Sequence, residues 1–206
     1  MVRKAIAEII KYGKLAGSKD FTPGISGNIS VKTGNKIVIT GTGTANGYLD
    51  KKDFAVLDSD GNQIGGKTKA SSEKLLHLSF YRHRDDIGAI IHVHSPYLTA
   101  FASAGVELNQ YILPEIIFLF ERIPLAPYGL PGTEELVGNS EKFFNDYDVI
   151  LLENHGVVVG GKDLKDAFLK LELCEAYAKT IICAKILGGA KILSDENVKK
   201  IMELKH

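Results

Sequence analysis

Residues 88–96 read GAIIHVHSP and predict a β-strand over residues 88–94 that ends before the proline. Side chains alternate along a strand, so His92 and His94 project from one face together with Ile90. Two imidazoles at this spacing can hold one metal ion. The same spacing is equally typical of two solvated histidines, so any further ligands must be found elsewhere in the chain.

Helices and short strands are predicted on both sides of this strand. The predicted helices cover residues 2–17, 71–84, 96–104, 133–145, 163–187 and 194–205. The predicted strands cover residues 29–32, 36–40, two segments within 53–64, 88–94, 148–152 and 156–160. Tight turns, such as Thr-Gly-Asn at residues 33–35, join several strand pairs. We therefore expect one α/β domain, residues 1–206, with a central mixed, largely antiparallel β-sheet flanked by α-helices.

The composition argues against two kinds of partner. Lys and Arg balance Asp and Glu, so the net charge is zero and no broad basic face for nucleic acid is expected. The N-terminal stretch MVRKAIAEIIKYGK carries a charge every few residues, so it predicts neither a signal peptide nor a membrane span. Cys174 and Cys183 are expected to be buried on opposite sides of one helix, where they cannot pair. These features predict a reducing compartment, the cytoplasm.

A third histidine lies far along the chain, in the stretch LLENHGVVVG. His155 is predicted at a tight turn between two apolar strands, and such turns do not require a histidine. Three nitrogen donors leave a fourth position for a carboxylate or the substrate, as in catalytic metal sites. Glu73 is the best carboxylate candidate, although it could instead complement a helix dipole. His77, four residues later on the same helical face, is a rival ligand, an outer partner or a hydrogen-bonded core residue.

Three other stretches are rich in small residues with backbone or hydroxyl donors. They are SGNIS at residues 26–30, TGTGTANG at residues 40–47 and ASS at residues 70–72. Backbone nests and helix N-termini of this kind hold phosphate without a basic cluster. The sequence contains neither GxGxxG before a long helix nor GxxxxGK[ST], so a nucleotide is not indicated. A small sugar phosphate is the ligand that these stretches favour.

The motifs GNIS, TGTG, SSE, HVH followed by proline, and NHG occur in this order. Together they resemble the class II aldolase/adducin family over nearly the whole chain. The resemblance implies a three-layer α/β fold. It also implies a C4 homotetramer with active sites between neighbouring subunits.

The resemblance also implies a role for particular residues. The family's metal ligands fall on His92, His94 and His155, and its acid/base glutamate, which can also touch the metal, falls on Glu73. One Zn²⁺ per subunit is implied, and Mn²⁺, Fe²⁺ or Co²⁺ also suits these donors. The family's phosphate-binding positions fall on Gly27, Asn28, Thr42, Gly43, Ser71 and Ser72.

The implied reaction is the reversible cleavage of a ketose 1-phosphate, L-fuculose 1-phosphate or a similar sugar. The products are dihydroxyacetone phosphate and a small aldehyde such as lactaldehyde, and a metal-stabilised enediolate lies between them. Glu73 would move the proton at the carbon that carries this charge.

Two features depart from the family pattern. In the family, a tyrosine donates a proton to the aldehyde side. The matching position here is Phe118, in the apolar run YILPEIIFLF at residues 111–120, and a phenylalanine side chain has no proton to donate. Tyr111, Glu115 and Tyr128 are candidate replacements. The family's C-terminal tail, which carries another tyrosine, is also expected to be absent.

Several alternatives share this fold. An epimerase of the family carries aspartate at the position of Glu73, so the glutamate favours an aldolase. A methylthioribulose-1-phosphate dehydratase or a decarboxylase of a sugar-acid phosphate would use the same metal site. A non-catalytic scaffold, like the adducin head domains, would not need to keep the ligands, and bound metal would distinguish an enzyme from it.

Overall fold

One eight-stranded sheet runs through the computed structural model, which describes residues 1–204. The strands are β1 Asn28–Thr33, β2 Lys36–Thr40, β3 Phe54–Leu57, β4 Gln63–Gly66, β5 Ala89–Val93, β6 Leu125–Ala126, β7 Val149–Leu152 and β8 Gly156–Gly161. Their order across the sheet is β4-β3-β2-β1-β5-β8-β7-β6. All neighbours are antiparallel except β6 and β7, which are parallel. The predicted mixed, largely antiparallel sheet is confirmed.

Helices cover both faces of this sheet. They are α1 Val2–Ser18, α2 Lys74–His83, α3 Pro96–Ser103, α4 Pro114–Phe120, α5 Glu134–Ser140, α6 Leu164–Ile186 and α7 Asp195–Glu203. α1, α3, α4 and α6 pack on the face that carries Ala89, Ile91 and Val93. α2 and α5 pack on the face that carries Ile90. The result is the predicted three-layer α/β domain, and no helix among residues 1–204 is long and apolar enough to span a bilayer.

The central position of β5 follows from its sequence. Every residue of this strand is buried, because helices lie above and below it and β1 and β8 pair with its two edges. In this register His92 stands opposite Asn28 of β1 and Val158 of β8. The histidine-bearing end of β5 therefore lies in the middle of the sheet, where side chains from several elements can reach it.

Some predicted boundaries differ from the structure. Residues 111–120, an apolar run without a clear period, contain α4, and residues 121–132, where neither a helix nor a strand was predicted, contain β6. α2 begins at Lys74 rather than at residue 71, and the helix predicted for residues 133–145 ends at Ser140 before a short 3-10 turn. The end of the last predicted helix, at residue 205, lies outside the described residues.

The two cysteines lie on opposite sides of α6, as predicted. Cys174 is buried, and burial raises the pKa of its thiol. Cys183 is exposed, so the expectation that both thiols are buried was wrong. One side of α6 packs against the sheet, and Cys183 lies on the side that faces solvent.

Candidate metal centre and surrounding loops

His92 lies at the end of β5 with its ring fully buried. Its Nδ1 is 3.0 Å from the carbonyl oxygen of Val157 on β8. A carbonyl oxygen can only accept, so Nδ1 carries the proton and donates it. In the neutral ring this leaves the lone pair on Nε2, the atom that faces the other histidines. β8 thus sets the orientation and tautomer of His92.

His155 lies in the turn between β7 and β8. Its backbone N–H donates to Leu152 at 3.0 Å, and Asn154 before it takes the left-handed conformation at φ 54°. Asparagine tolerates this conformation better than most residues. Gly156 follows, and a Cβ there would lie 2.5 Å from the carbonyl oxygen of Val93 and 2.7 Å from Cδ2 of His94. The glycine is therefore required for this close approach.

The three histidines converge at this point. Their candidate ligand nitrogens all lie within 4.8 Å of one another, and the Nε2 atoms of His92 and His94 are 3.3 Å apart. Two imidazole nitrogens that share a tetrahedral zinc ion at about 2.0–2.1 Å lie roughly 3.3 Å apart. Burial first, and then His92 and His155, lower the pKa of His94 to about 4, so its ring is neutral at pH 7. The arrangement and its donors fit a divalent cation.

Glu73 faces two of these histidines. Its Oε2 lies 3.0 Å from Nε2 of His92, and its Oε1 lies 3.1 Å from Nε2 of His155. Burial opposes a charge on this carboxyl, but the two histidines outweigh burial and hold its pKa well below the usual range. The residue immediately precedes α2, and its backbone N–H donates to Oγ of Ser71 at 3.2 Å. Its side chain faces the histidines rather than the start of the helix.

The three small-residue stretches lie side by side. The backbone N–H of Thr42 donates to the carbonyl oxygen of Lys69 at 2.9 Å, and the backbone N–H of Ser71 donates to the carbonyl oxygen of Thr40 at 3.1 Å. Oγ1 of Thr40 also accepts from the backbone N–H of Ile29 at 3.1 Å. The loops that contain Gly27, Asn28, Thr42, Gly43, Ser71 and Ser72 therefore adjoin one another, and the last of them leads directly into Glu73. Thr42, Gly43 and Ser72 are exposed, as a ligand site requires.

Asn28 has a different environment from the exposed loop residues. It is buried, and its side-chain amide contacts Glu73 at 2.8 Å and His77 at 2.5 Å. Ser30 and Tyr81 continue this set of buried polar contacts and were not singled out by the sequence. The available signals were the i, i+2 spacing on β1 and the i, i+4 spacing on α2.

A cluster of three histidines and a buried carboxylate on a three-layer α/β domain is typical of metal-dependent enzymes. Residues 7–182 match the family described as the Class II Aldolase and Adducin N-terminal domain. The chain belongs to this family, so the resemblance is confirmed. Membership places the chain among the metal-dependent lyases.

Its relatives carry more than one activity in their names. An L-fuculose phosphate aldolase of Methanocaldococcus jannaschii is 42% identical over 172 residues, covering 84% of this chain and 92% of that protein. A 5-deoxy-D-ribulose 1-phosphate aldolase of Bacillus thuringiensis serovar kurstaki is 34% identical over 205 residues, covering 98% and 95%. A 3-oxo-tetronate 4-phosphate decarboxylase of Pectobacterium atrosepticum is 34% identical over 195 residues, covering 92% and 88%.

A solved structure agrees with these relatives. The structure of an L-fuculose 1-phosphate aldolase matches this chain with a TM-score of 0.89 at 34% identity, covering 98% of this chain and 95% of that one. The resemblance to fuculose-phosphate aldolases is therefore confirmed for both sequence and fold.

Proposed function

We propose that this chain is a metal-dependent aldolase that reversibly cleaves a ketose 1-phosphate, L-fuculose 1-phosphate or a similar sugar. Its products would be dihydroxyacetone phosphate and a small aldehyde such as lactaldehyde. The observation that carries this proposal is the convergence of His92, His94 and His155, with the carboxylate of Glu73 against His92 and His155. Relatives named as aldolases of fuculose phosphate and of 5-deoxyribulose 1-phosphate support the substrate class.

In this proposal the three histidines, with Glu73 as a further donor, hold one divalent cation per chain. Zn²⁺ is our first choice, and Mn²⁺, Fe²⁺ and Co²⁺ suit the same donors. When bound, such a cation acts as a Lewis acid that stabilises negative charge on substrate oxygens. Glu73 takes a proton from the hydroxymethyl carbon of dihydroxyacetone phosphate during condensation and returns it during cleavage. Its low exposure limits competition from water.

The phosphate of the substrate is proposed to lie against the three adjoining loops. The residues proposed to hold it are Gly27, Asn28, Thr42, Gly43, Ser71 and Ser72. Backbone N–H groups and hydroxyls in these loops would supply the donors. Since Ser71 is two residues from Glu73, a phosphate held there would place the reacting carbons at a fixed distance from the carboxylate.

The family's proton donor to the aldehyde oxygen matches position 118 of this chain. Phe118 has no hydroxyl and belongs to α4, which packs in the layer opposite α2. A donor from that segment is better placed to serve a neighbouring subunit. This placement supports a homotetramer with active sites between subunits, which light scattering would report as four times the chain mass.

A decarboxylase of a sugar-acid phosphate is the second candidate. A relative of this activity is 34% identical to the chain, and decarboxylation also leaves negative charge on carbon beside a carbonyl. Its leaving group is CO₂, so no aldehyde oxygen has to be protonated. The phenylalanine at Phe118 is therefore compatible with this reaction.

The decisive experiment is to incubate the cation-loaded protein with dihydroxyacetone phosphate and a panel of small aldehydes, lactaldehyde included. An aldolase forms a new ketose phosphate with at least one of them. A parallel incubation with 3-oxo-tetronate 4-phosphate measures the release of CO₂. Release of CO₂ without any condensation product would overturn the aldolase assignment in favour of the decarboxylase.

A further inference from the structure

A row of buried polar side chains connects the interior of α2 to the carboxylate of the candidate metal centre. The row runs from Tyr81 through Ser30, His77 and Asn28 to Glu73, and we call it the polar ladder. The contacts are 2.9 Å from Tyr81 to Ser30, 2.7 Å from Ser30 to His77, 2.5 Å from His77 to Asn28 and 2.8 Å from Asn28 to Glu73. Each member is 7% exposed or less.

Two regular spacings produce the ladder. Glu73, His77 and Tyr81 are four residues apart, so they lie along one side of α2 and the turn before it. Asn28 and Ser30 are two residues apart, so both project from the same face of β1. The side chains of the helix and the strand therefore alternate along the layer boundary. A buried polar group must find a partner, and here each one finds its partner in the opposite element.

The direction of every hydrogen bond in the ladder follows from the chemistry of its ends. A carboxylate only accepts, so Asn28 must present its N–H₂ to Glu73 and its carbonyl oxygen to His77. Nε2 of His77 must then carry the proton and donate it to that oxygen. Nδ1 of His77 is left as an acceptor for the hydroxyl of Ser30, which in turn accepts from Tyr81. Reversing any one member would place two acceptors or two donors against each other.

The ladder requires a neutral His77. Burial first, and then His92, lower the pKa of His77 to about 3, and burial raises the pKa of Tyr81 above its usual value. Both groups therefore keep the proton states that the directions require. An amide does not pass a proton along in this way, so the ladder cannot carry protons from Tyr81 to Glu73. What it can do is hold one orientation.

We propose that His77 is a positioning residue that fixes the orientation of the Asn28 amide. The N–H₂ group of Asn28 then holds the Glu73 carboxylate in place between His92 and His155. This inference rests on the proposed role of Glu73 in proton transfer. It also gives Asn28 a function beyond the phosphate contact assigned to it above. Replacing a partner one step removed from a metal ligand, as Asn28 is here, typically changes metal affinity or activity by about 10–100-fold, and His77 acts through Asn28.

The test compares the same substitution at two histidines of α2. His77→Leu removes both hydrogen bonds of the ring, whereas His83→Leu changes an exposed histidine and serves as the control. His77→Gln keeps one donor and one acceptor. The measured rate is solvent-deuterium exchange into dihydroxyacetone phosphate at saturating Zn²⁺. We expect His77→Leu to lose about 10–100-fold in rate, His83→Leu to match the wild type, and His77→Gln to recover most of the loss. A wild-type rate in His77→Leu, or no recovery in His77→Gln, would overturn the proposal.

Two readouts do not depend on turnover. ¹⁵N NMR of the zinc-loaded wild-type protein should show His77 protonated on Nε2 and not on Nδ1, and the opposite tautomer would overturn the proposal even if His77→Leu fails to fold. Chelator competition should give His77→Leu a Zn²⁺ affinity about tenfold weaker than that of His83→Leu, and equal affinities would count against it. If the wild-type protein shows no exchange, the proposed function is contradicted instead. The His77 tautomer and the Zn²⁺ affinity then still test the positioning role of His77.

Discussion

At the residue scale, two glycines determine how closely the neighbouring strands approach the end of β5. A Cβ on Gly27 would lie 2.5 Å from the carbonyl oxygen of His92, and a Cβ on Gly156 would lie 2.5 Å from that of Val93. Gly27 also has φ 74°, a conformation that disfavours other residues. β1 and β8 can therefore place Asn28 and His155 beside the histidines of β5 only because both positions lack a side chain.

Gly156→Ala tests this close approach. The added methyl must displace β8 or the ring of His94, and we expect the free energy of unfolding to fall by about 1–3 kcal/mol, with weaker cation binding. Urea denaturation and metal titration measure the two effects. Gly138→Ala is the matched control, because a Cβ there meets nothing within 4 Å and α5 should gain up to about 1 kcal/mol. Equal stability of the two variants would contradict the role assigned to Gly156.

At the element scale, α6 secures the junction between β5 and α3. Glu175 of α6 is buried and accepts three hydrogen bonds from the start of α3. The donors are Oγ of Ser95 at 2.7 Å and the backbone N–H groups of Tyr97 at 2.8 Å and Leu98 at 2.9 Å. Carboxylates are favourable at helix N-termini because backbone N–H groups there lack partners within the helix. Since Ser95 directly follows His94, the same contacts hold the second histidine of the cluster.

Glu175→Ala leaves these buried donors without a partner. We expect the free energy of unfolding to fall by roughly 2–4 kcal/mol, because unsatisfied buried polar groups are costly. Glu172→Ala, on the same helix, removes an exposed ion pair with Lys19 at 2.7 Å and should cost less than about 1 kcal/mol. Thermal or urea unfolding compares the two variants directly. A loss below that of Glu172→Ala would show that the carboxylate is dispensable.

The elements differ in how well the sequence predicts them. β1, β2, β7 and β8 are short apolar, β-branched runs bounded by tight turns, a strong local pattern, so the sheet was predicted from them. α4 was missed because an apolar run without a period does not distinguish a helix from a strand. β6 has only two residues, too few for a local pattern, and it becomes a strand only by pairing with β7 in the folded chain.

The candidate site shows the same division. The three histidines, Glu73 and the small-residue loops were found because their residue types are unusual at those positions and their order resembles a family. The roles of Ser30 and Tyr81 were not found. Ordinary polar residues signal nothing until packing shows that α2 lies along β1 and places them in contact.

At the scale of the whole molecule, the candidate metal centre ties separate parts of the chain together. His92 and His94 come from β5, His155 from the turn between β7 and β8, and Glu73 from the loop before α2. A cation shared by these segments would bind the folded chain and has no preformed site in the unfolded one. Its binding free energy therefore adds to the stability of the fold.

Removal of the cation should lower the thermal stability of the wild type. At a cation concentration 100-fold above Kd the gain is about 2.7 kcal/mol, which corresponds to roughly 5–10 °C in Tm for a chain of this size. His92→Ala and His155→Ala should fold but show no gain on adding Zn²⁺, whereas His83→Ala should behave as the wild type. Calorimetry with and without a chelator measures the difference. A full gain in His92→Ala would place the cation elsewhere.

The proposed function requires Glu73 to move a proton of the substrate beside a cation held by three histidines. The most direct measurement is solvent-deuterium exchange into the hydroxymethyl carbon of dihydroxyacetone phosphate, with bound metal determined in the same samples. The wild type should exchange, and Glu73→Gln should keep its cation but exchange about 10²–10⁴-fold more slowly. Exchange at the wild-type rate in metal-loaded Glu73→Gln would show that Glu73 does not move this proton.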